Sequence, residues 1–196
     1  MKPAYGEAQW AGAVALALVF GSLAWGQNSP DANGQTSRTR REVVVSIPDR
    51  KLAVLENGTV LRIFPVAVGA KNSPSPTGEF EIVHRLTNPT YYQPGSVIPP
   101  GKANPLGPRW LGLNKKGFGI HGTNAPRSVG EAASHGCIRL RNRDVVELYA
   151  MVRAGDMVKI CSQRDAEMAR IFRPGSNPES LVAQASPRAV ANGAGQ

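Results

Sequence analysis

Residues 121–142 read HGTNAPRSVGEAASHGCIRLRN, and within them Ser134-His135-Gly136-Cys137 sets two reactive side chains around a glycine. The chain has three histidines and two cysteines, and two of those histidines and one cysteine fall between His121 and Cys137. Gly119–His121 reads as a short strand that ends on a histidine. The small and polar residues of Gly122–Ser134 can turn the chain back so that His121 and Cys137 meet. A thiol becomes a good nucleophile when a neighbouring imidazole or cation favours the thiolate. Gly136 lets backbone approach a substrate closely, and amide N–H groups around Gly136 and Cys137 can point at an oxyanion. Arg139 shares a face with Cys137 if the chain is extended there, where it can bind a carboxylate or stabilise negative charge. Two other readings stay open from the residues alone. His121, His135 and Cys137 can serve as three metal ligands with an open fourth position, although His-x-Cys is not a usual zinc spacing. The segment can also be a glycine turn with packed histidines.

Outward from this window, strand signals dominate. Val43–Ile47 is a β-branched run that ends at the turn Pro48-Asp49, and Leu52–Leu55 follows. Asn57-Gly58 is a strong short hairpin signal, and Val60–Val68 carries Pro65, which suits an edge or a bulge. Glu79–Leu86 alternates polar and apolar residues like a half-solvated antiparallel strand. Asn88–Pro108 holds six prolines and three glycines and reads as one long loop without regular structure, the kind that serves as a lid or binding loop. Trp110–Leu113 reads as a short strand. Asn142 can cap a helix with Asp144 in its first turn and an apolar stripe at Val145, Leu148, Tyr149 and Val152, with Gly155 as its C-cap. These signals predict a mostly β, antiparallel fold with one or two short helices over residues 42–162.

The flanks set the compartment. Lys2, the apolar run Ala11–Leu23 and the small residues around Gly26 form the three parts of a secretory signal peptide over residues 1–26. The run is short of the ~20 apolar residues that span a bilayer comfortably, and an uncleaved anchor stays open. Residues 27–41 read as a disordered linker and 163–196 as a disordered tail. The chain has 196 residues and a net charge of +9. That balance favours an anionic partner in principle, yet the charges are scattered and suit a soluble surface, so no nucleic acid is expected. In an oxidising compartment Cys137 and Cys161 can pair. Their contexts differ, however: Cys161 ends the strand-like run Met157–Cys161, and Cys137 reads as a free thiol.

Ile120-His121-Gly122-Thr123-Asn124, followed by Ser134-His135-Gly136-Cys137-Ile138-Arg139-Leu140, closely resembles the signature of the L,D-transpeptidase catalytic domain, the YkuD-like and ErfK-type fold. Ser75-Pro76-Thr77-Gly78-Glu79-Phe80 resembles that family's T-P-T-G-x-F segment, with serine where threonine is common. Pro99-Pro100-Gly101 and Asn104–Pro108 resemble its proline-rich loop. The resemblance implies an antiparallel β-sandwich-like domain in which Cys137 is the nucleophile and His121 the general base and acid, its ring held by backbone around Gly122. It further implies oxyanion and substrate contacts from Ser134, His135, Gly136 and Arg139. The implied reaction attacks the third residue of a peptidoglycan stem tetrapeptide, releases D-alanine and forms a 3–3 cross-link. It implies no metal and no organic cofactor, and an exported, periplasmic or envelope monomer whose partners are stem peptides, with transient membrane association left open. Hydrolysis by an L,D-carboxypeptidase or endopeptidase, attachment or detachment of a lipoprotein, and a non-catalytic wall-binding role are the alternatives. Tyr91, Tyr92 and Trp110 are candidate walls of the substrate site.

Overall fold

A computed structural model describes residues 41–173. In chain order its strands are β1 (Arg41–Ser46), β2 (Lys51–Glu56), β3 (Thr59–Pro65), β4 (Val68–Gly69), β5 (Gly78–Thr87), β6 (Tyr91–Gln93), β7 (Ser96–Ile98), β8 (Arg109–Leu113), β9 (Gly119–His121), β10 (Ala132–Ser134), β11 (Ile138–Arg139) and β12 (Met157–Cys161). Helix α1 spans Asn142–Met151 and α2 spans Ala166–Ile171. Eight strands form one sheet in the order β11-β9-β8-β5-β12-β1-β2-β3. Only the β1–β12 and β9–β11 pairings within it are parallel, so the fold is mostly β and mostly antiparallel.

β5 organises the sheet. Its first residues pair with β12 and its later ones with β8, with a register shift between Ile82 and His84. The alternation read in Glu79–Leu86 therefore holds through buried Ile82 and then slips, leaving Val83 and Leu86 exposed. Beyond the edge strand β3, which ends on Pro65, the chain crosses to the opposite edge. There Ala67 bridges Arg139 of β11, with N–H···O distances of 3.0 and 2.8 Å. The sheet thus curls until its two edges are tied together, which is the sandwich-like closure expected.

Central strand β1 explains its own unbroken valines. Val43 and Val45 face the main core with Leu52, Ile82, Leu111 and Ile120. Val44 faces a second cluster with Ala53, Leu55, Met168, Ile171 and Phe172. A strand buried on both faces has no polar alternate. Asn57 (φ 51°) and Gly58 (φ 77°) both adopt the positive φ that a tight β2–β3 hairpin requires.

The fold corrects four expectations from the sequence. The 88–108 segment is not wholly irregular, because β6 and β7 pair as a small hairpin across Pro94-Gly95. Helix α1 starts at Asn142, but no side chain caps it, and Asn142 works elsewhere. The α1 C-cap is Val152, and Gly155 instead donates its amide to Ile82 in the turn before β12. The folded part also continues past residue 162: the Asp165 carboxylate accepts the Met168 amide at 2.9 Å to cap α2, whose Met168 and Ile171 are buried. The signal-peptide reading of 1–26, the linker up to residue 40 and the tail beyond 173 lie outside the described residues.

Candidate functional site

The parallel pairing of β9 with β11 sets Ile120 beside Ile138 and His121 beside Arg139. Both isoleucines are buried in the main core, so alternation puts His121 and Arg139 on the opposite face. Cys137, one residue before β11, shares their side of the strand. Its half-buried thiol donates to the Gly117 carbonyl at 3.6 Å. Cys161 is also a free thiol, so the disulfide alternative is not what the fold adopts.

His121 is buried, only 4% exposed. Its Nδ1–H donates to the Gly122 carbonyl at 2.7 Å. That bond selects the tautomer whose Nε2 lone pair is open to accept a proton. Burial pushes the imidazole down to about 4, and the Arg139 cation pushes the same way against the opposing backbone bonds of Gly122 and Leu106. The ring is therefore neutral at neutral pH. Burial likewise raises the Cys137 thiol, with the Gly119 backbone and Arg139 opposing. The resting pair is a neutral thiol and a neutral imidazole, an arrangement suited to general-base attack rather than to a standing ion pair.

The Ser134–Cys137 turn is held by Ser134. Its buried hydroxyl donates to the Cys137 carbonyl at 2.6 Å and accepts the Gly136 amide at 3.0 Å. Gly136 sits at φ +104°, and a Cβ there would come 2.7 Å from Phe118 Cε1 and 3.2 Å from the Pro74 carbonyl. The glycine is thus required by turn conformation and close packing, and its amide is already engaged, which leaves the flanking amides of His135 and Cys137 for an anion. His135 itself is exposed. Behind the turn, the Ser73 hydroxyl and the Ala70 amide both donate to the Ser134 carbonyl, at 3.2 and 2.9 Å. The buried Ser75 hydroxyl accepts the Gly69 amide at 2.8 Å. The Ser73–Ser75 stretch therefore acts as a backing for the thiol turn.

Three residues of this framework escaped sequence reasoning. Asn142 Oδ1 accepts the Thr123 amide at 2.8 Å, fixing the chain directly after His121-Gly122. It packs so closely on Gly122 and Gly107 that neither could carry a Cβ. Buried Asn104 clasps the long loop, its Nδ2 donating to Pro89, Ile98 and Pro99 and its Oδ1 accepting from Leu106. Asn124 Nδ2 in turn donates to Ala103 at 3.0 Å, joining that loop to the segment after His121. An asparagine between prolines was the available signal for Asn104; nothing local distinguishes Asn142 from a helix cap. Of the candidate walls, Tyr92 is exposed and Tyr91 half-buried on β6, while Trp110 stacks on His121 with centroids 5.3 Å apart. Among the described residues no group of three His, Cys, Asp or Glu side chains is placed to hold a metal ion.

Residues 40–160 match the family model described as the L,D-transpeptidase catalytic domain. Over 118 residues the chain is 42% identical to the putative L,D-transpeptidase YkuD of Bacillus subtilis, covering 60% of this chain and 64% of that protein. It is 38% identical over 123 residues to the putative L,D-transpeptidase YqjB of the same organism, covering 60% and 69% respectively. The chain thus spans just under two thirds of the YkuD relative's length. The crystal structure of an L,D-transpeptidase from Mycobacterium tuberculosis superposes with a TM-score of 0.55 at 20% identity, over 63% of this chain and 58% of that one, a likeness of fold.

Proposed function

This chain belongs to the L,D-transpeptidase catalytic domain family, and from that premise we propose that it is an exported peptidoglycan L,D-transpeptidase of the cell envelope with Cys137 as nucleophile and His121 as base. The observation that carries the reading is one strand pairing. β9 and β11 set His121 and Arg139 side by side, with Cys137 immediately ahead on the same face and the His121 Nδ1–H locked on Gly122.

In the first half-reaction His121 Nε2 takes the Cys137 proton as sulfur attacks the carbonyl carbon of the stem peptide's third residue. The developing oxyanion is met by the amides of His135 and Cys137, with Arg139 adding positive charge at the rim. Collapse breaks the amide bond to D-alanine. The leaving amine takes the proton from His121, and a thioester remains on Cys137. In the second half-reaction an amine of a neighbouring stem peptide attacks the thioester, its proton passing through His121 back to the sulfur. The product is a 3–3 cross-link. Water in place of the amine gives D-alanine release alone.

Incubating the full chain with disaccharide-tetrapeptide, with and without an acceptor peptide, tests this reading. D-Alanine release together with a cross-linked dimer is the expected result. Release that persists at full rate in folded Cys137→Ala removes the nucleophile assignment, and release without dimer in both arms points to a hydrolase. Stoichiometric acylation of Cys137 by a carbapenem, read by intact mass, is the companion result, and an unlabelled thiol in folded, reduced protein favours a non-catalytic wall-binding role.

A further inference from the structure

Cross-strand partners place Leu86, Trp110, His121 and Arg139 in one row across β5, β8, β9 and β11. Two residues along, on the same face, runs the row His84, Gly112, Gly119 and, one step before the first paired residue of β11, Cys137. The two central places in that second row are both glycine. A Cβ on Gly112 would lie 2.8 Å from Trp110 Nε1, and one on Gly119 would lie 2.6 Å from Trp110 Cζ2 and 2.7 Å from the Leu111 carbonyl. The indole therefore lies down across both glycines, and any side chain there would lift it. The same indole stacks against the His121 ring, with centroids 5.3 Å apart and an interplanar angle of 28°.

We propose that Trp110 is a positioning residue for His121, bedded on Gly112 and Gly119, which fixes the imidazole on Gly122 and shields it from water. The inference rests on the reading of His121 as the base, and it assigns Trp110 a role other than that of a substrate wall. A stacked indole restricts ring rotation, so the one proton-accepting nitrogen keeps its aim at the nucleophile. It also removes solvent from a ring that must stay neutral to act. Arg139 stands opposite His121 on β11 and acts on its ring, Cys137 comes two residues before Arg139, and His84 of β5 lies beside Gly112, opposite it across the strands. Arg139 and burial act in the same direction on the ring. Uncovering the imidazole therefore weakens the burial effect while the cation remains.

The test uses two readouts on Trp110→Ala, Trp110→Phe and Gly112→Ala in the full chain. The first is NMR titration of the His121 imidazole without substrate, which is informative even if the chain proves not to be a transpeptidase. The second is D-alanine release, resolved into kcat and KM. In Trp110→Ala the imidazole midpoint moves up by about one unit or more, and kcat falls about tenfold or more with KM nearly unchanged. Trp110→Phe restores most of both. Gly112→Ala, whose added methyl meets only side-chain atoms, shifts both in the same direction by less. An unmoved titration in folded Trp110→Ala overturns the proposal. A loss confined to KM does the same and returns Trp110 to the role of substrate wall. If Trp110→Ala fails to fold, Gly112→Ala carries the test: a raised midpoint with lowered kcat supports the proposal, and an unmoved titration or a loss confined to KM overturns it.

Discussion

Cys137 and Cys161 are alike by most simple measures. Both are free, both half-buried, and burial raises both thiols above their ordinary value. Their surroundings separate them. Cys161 ends β12 beside Lys159, with Asp165, Glu167 and Glu42 opposing thiolate formation, and its side chain packs on the Val44–Phe172 cluster. Cys137 stands on a tight glycine turn, with a buried neutral histidine on the adjoining strand, Arg139 two residues on and no carboxylate acting on it. On the proposed reading, reactivity comes from the base and the backbone around a thiol, because burial holds Cys137 as the thiol rather than the thiolate.

The sharpest way to break this comparison is to remove each sulfur. Cys137→Ala lowers D-alanine release by about 10³-fold or more, while Cys161→Ala leaves it within about twofold and costs about 1 kcal/mol of stability. Equal losses of activity would mean that Cys161 belongs to the chemistry after all. The next largest effect lies on the Cys161 side. Phe172 is 2% exposed under β1 and β2, so Phe172→Ala costs about 3–5 kcal/mol in urea unfolding. Release per folded molecule stays unchanged. Truncation after residue 162 removes Met168, Ile171 and Phe172 together and exceeds that loss.

Acid separates the two regions by a different route. The fold holds His121 at about 4 against an ordinary 6.5. The unfolded chain therefore binds the proton more readily in that window. The neutral imidazole's contribution is fully present above about pH 6.5 and is lost as pH falls through 4, on the order of 3 kcal/mol in all. Urea unfolding of wild type between pH 7 and 4.5 shows this slope, and His121→Gln flattens it. The same slope in both proteins would place the titration elsewhere. Release activity follows the same ring, so its acidic limb falls near pH 4 and not near 6.5.

Much of this was legible in the residues, for reasons that can be named. The valines of β1, the Asn57-Gly58 hairpin and the apolar stripe of α1 are local patterns with local causes, and each lies where it was read. The approach of the His121 and Cys137 segments was legible because His121 ends one short strand and Cys137 directly precedes another, joined by a chain that turns back. The β6–β7 hairpin was hidden because prolines mask strands as short as these. Helix α2 was hidden by a polar start, though Asp165 followed by Met168, Ile171 and Phe172 carries a cap and an apolar face. What no local pattern carries is which distant segment supports which. Asn142 reads as a cap until the fold brings Thr123 to it, and Ser73 reads as loop until Ser134 arrives behind it.

Ser134 gives the finest test, because it touches neither thiol nor imidazole. It is 1% exposed, and its hydroxyl both donates to the Cys137 carbonyl and accepts the Gly136 amide. Ser134→Ala leaves that amide and that carbonyl without their partner in a buried turn, at a cost of about 2 kcal/mol. The freed Gly136 amide also becomes a new candidate for the oxyanion, so kcat need not fall as far as a loosened turn alone would dictate. The expected outcome is a loss of about tenfold in release, with the His121 titration unmoved, because Ser134 acts on the sulfur side of the pair only. A Ser134→Ala protein that releases D-alanine at the wild-type rate would show that the turn is held by Gly136 under Phe118 and by the Ser73–Ser75 backing, with the hydroxyl contributing stability alone.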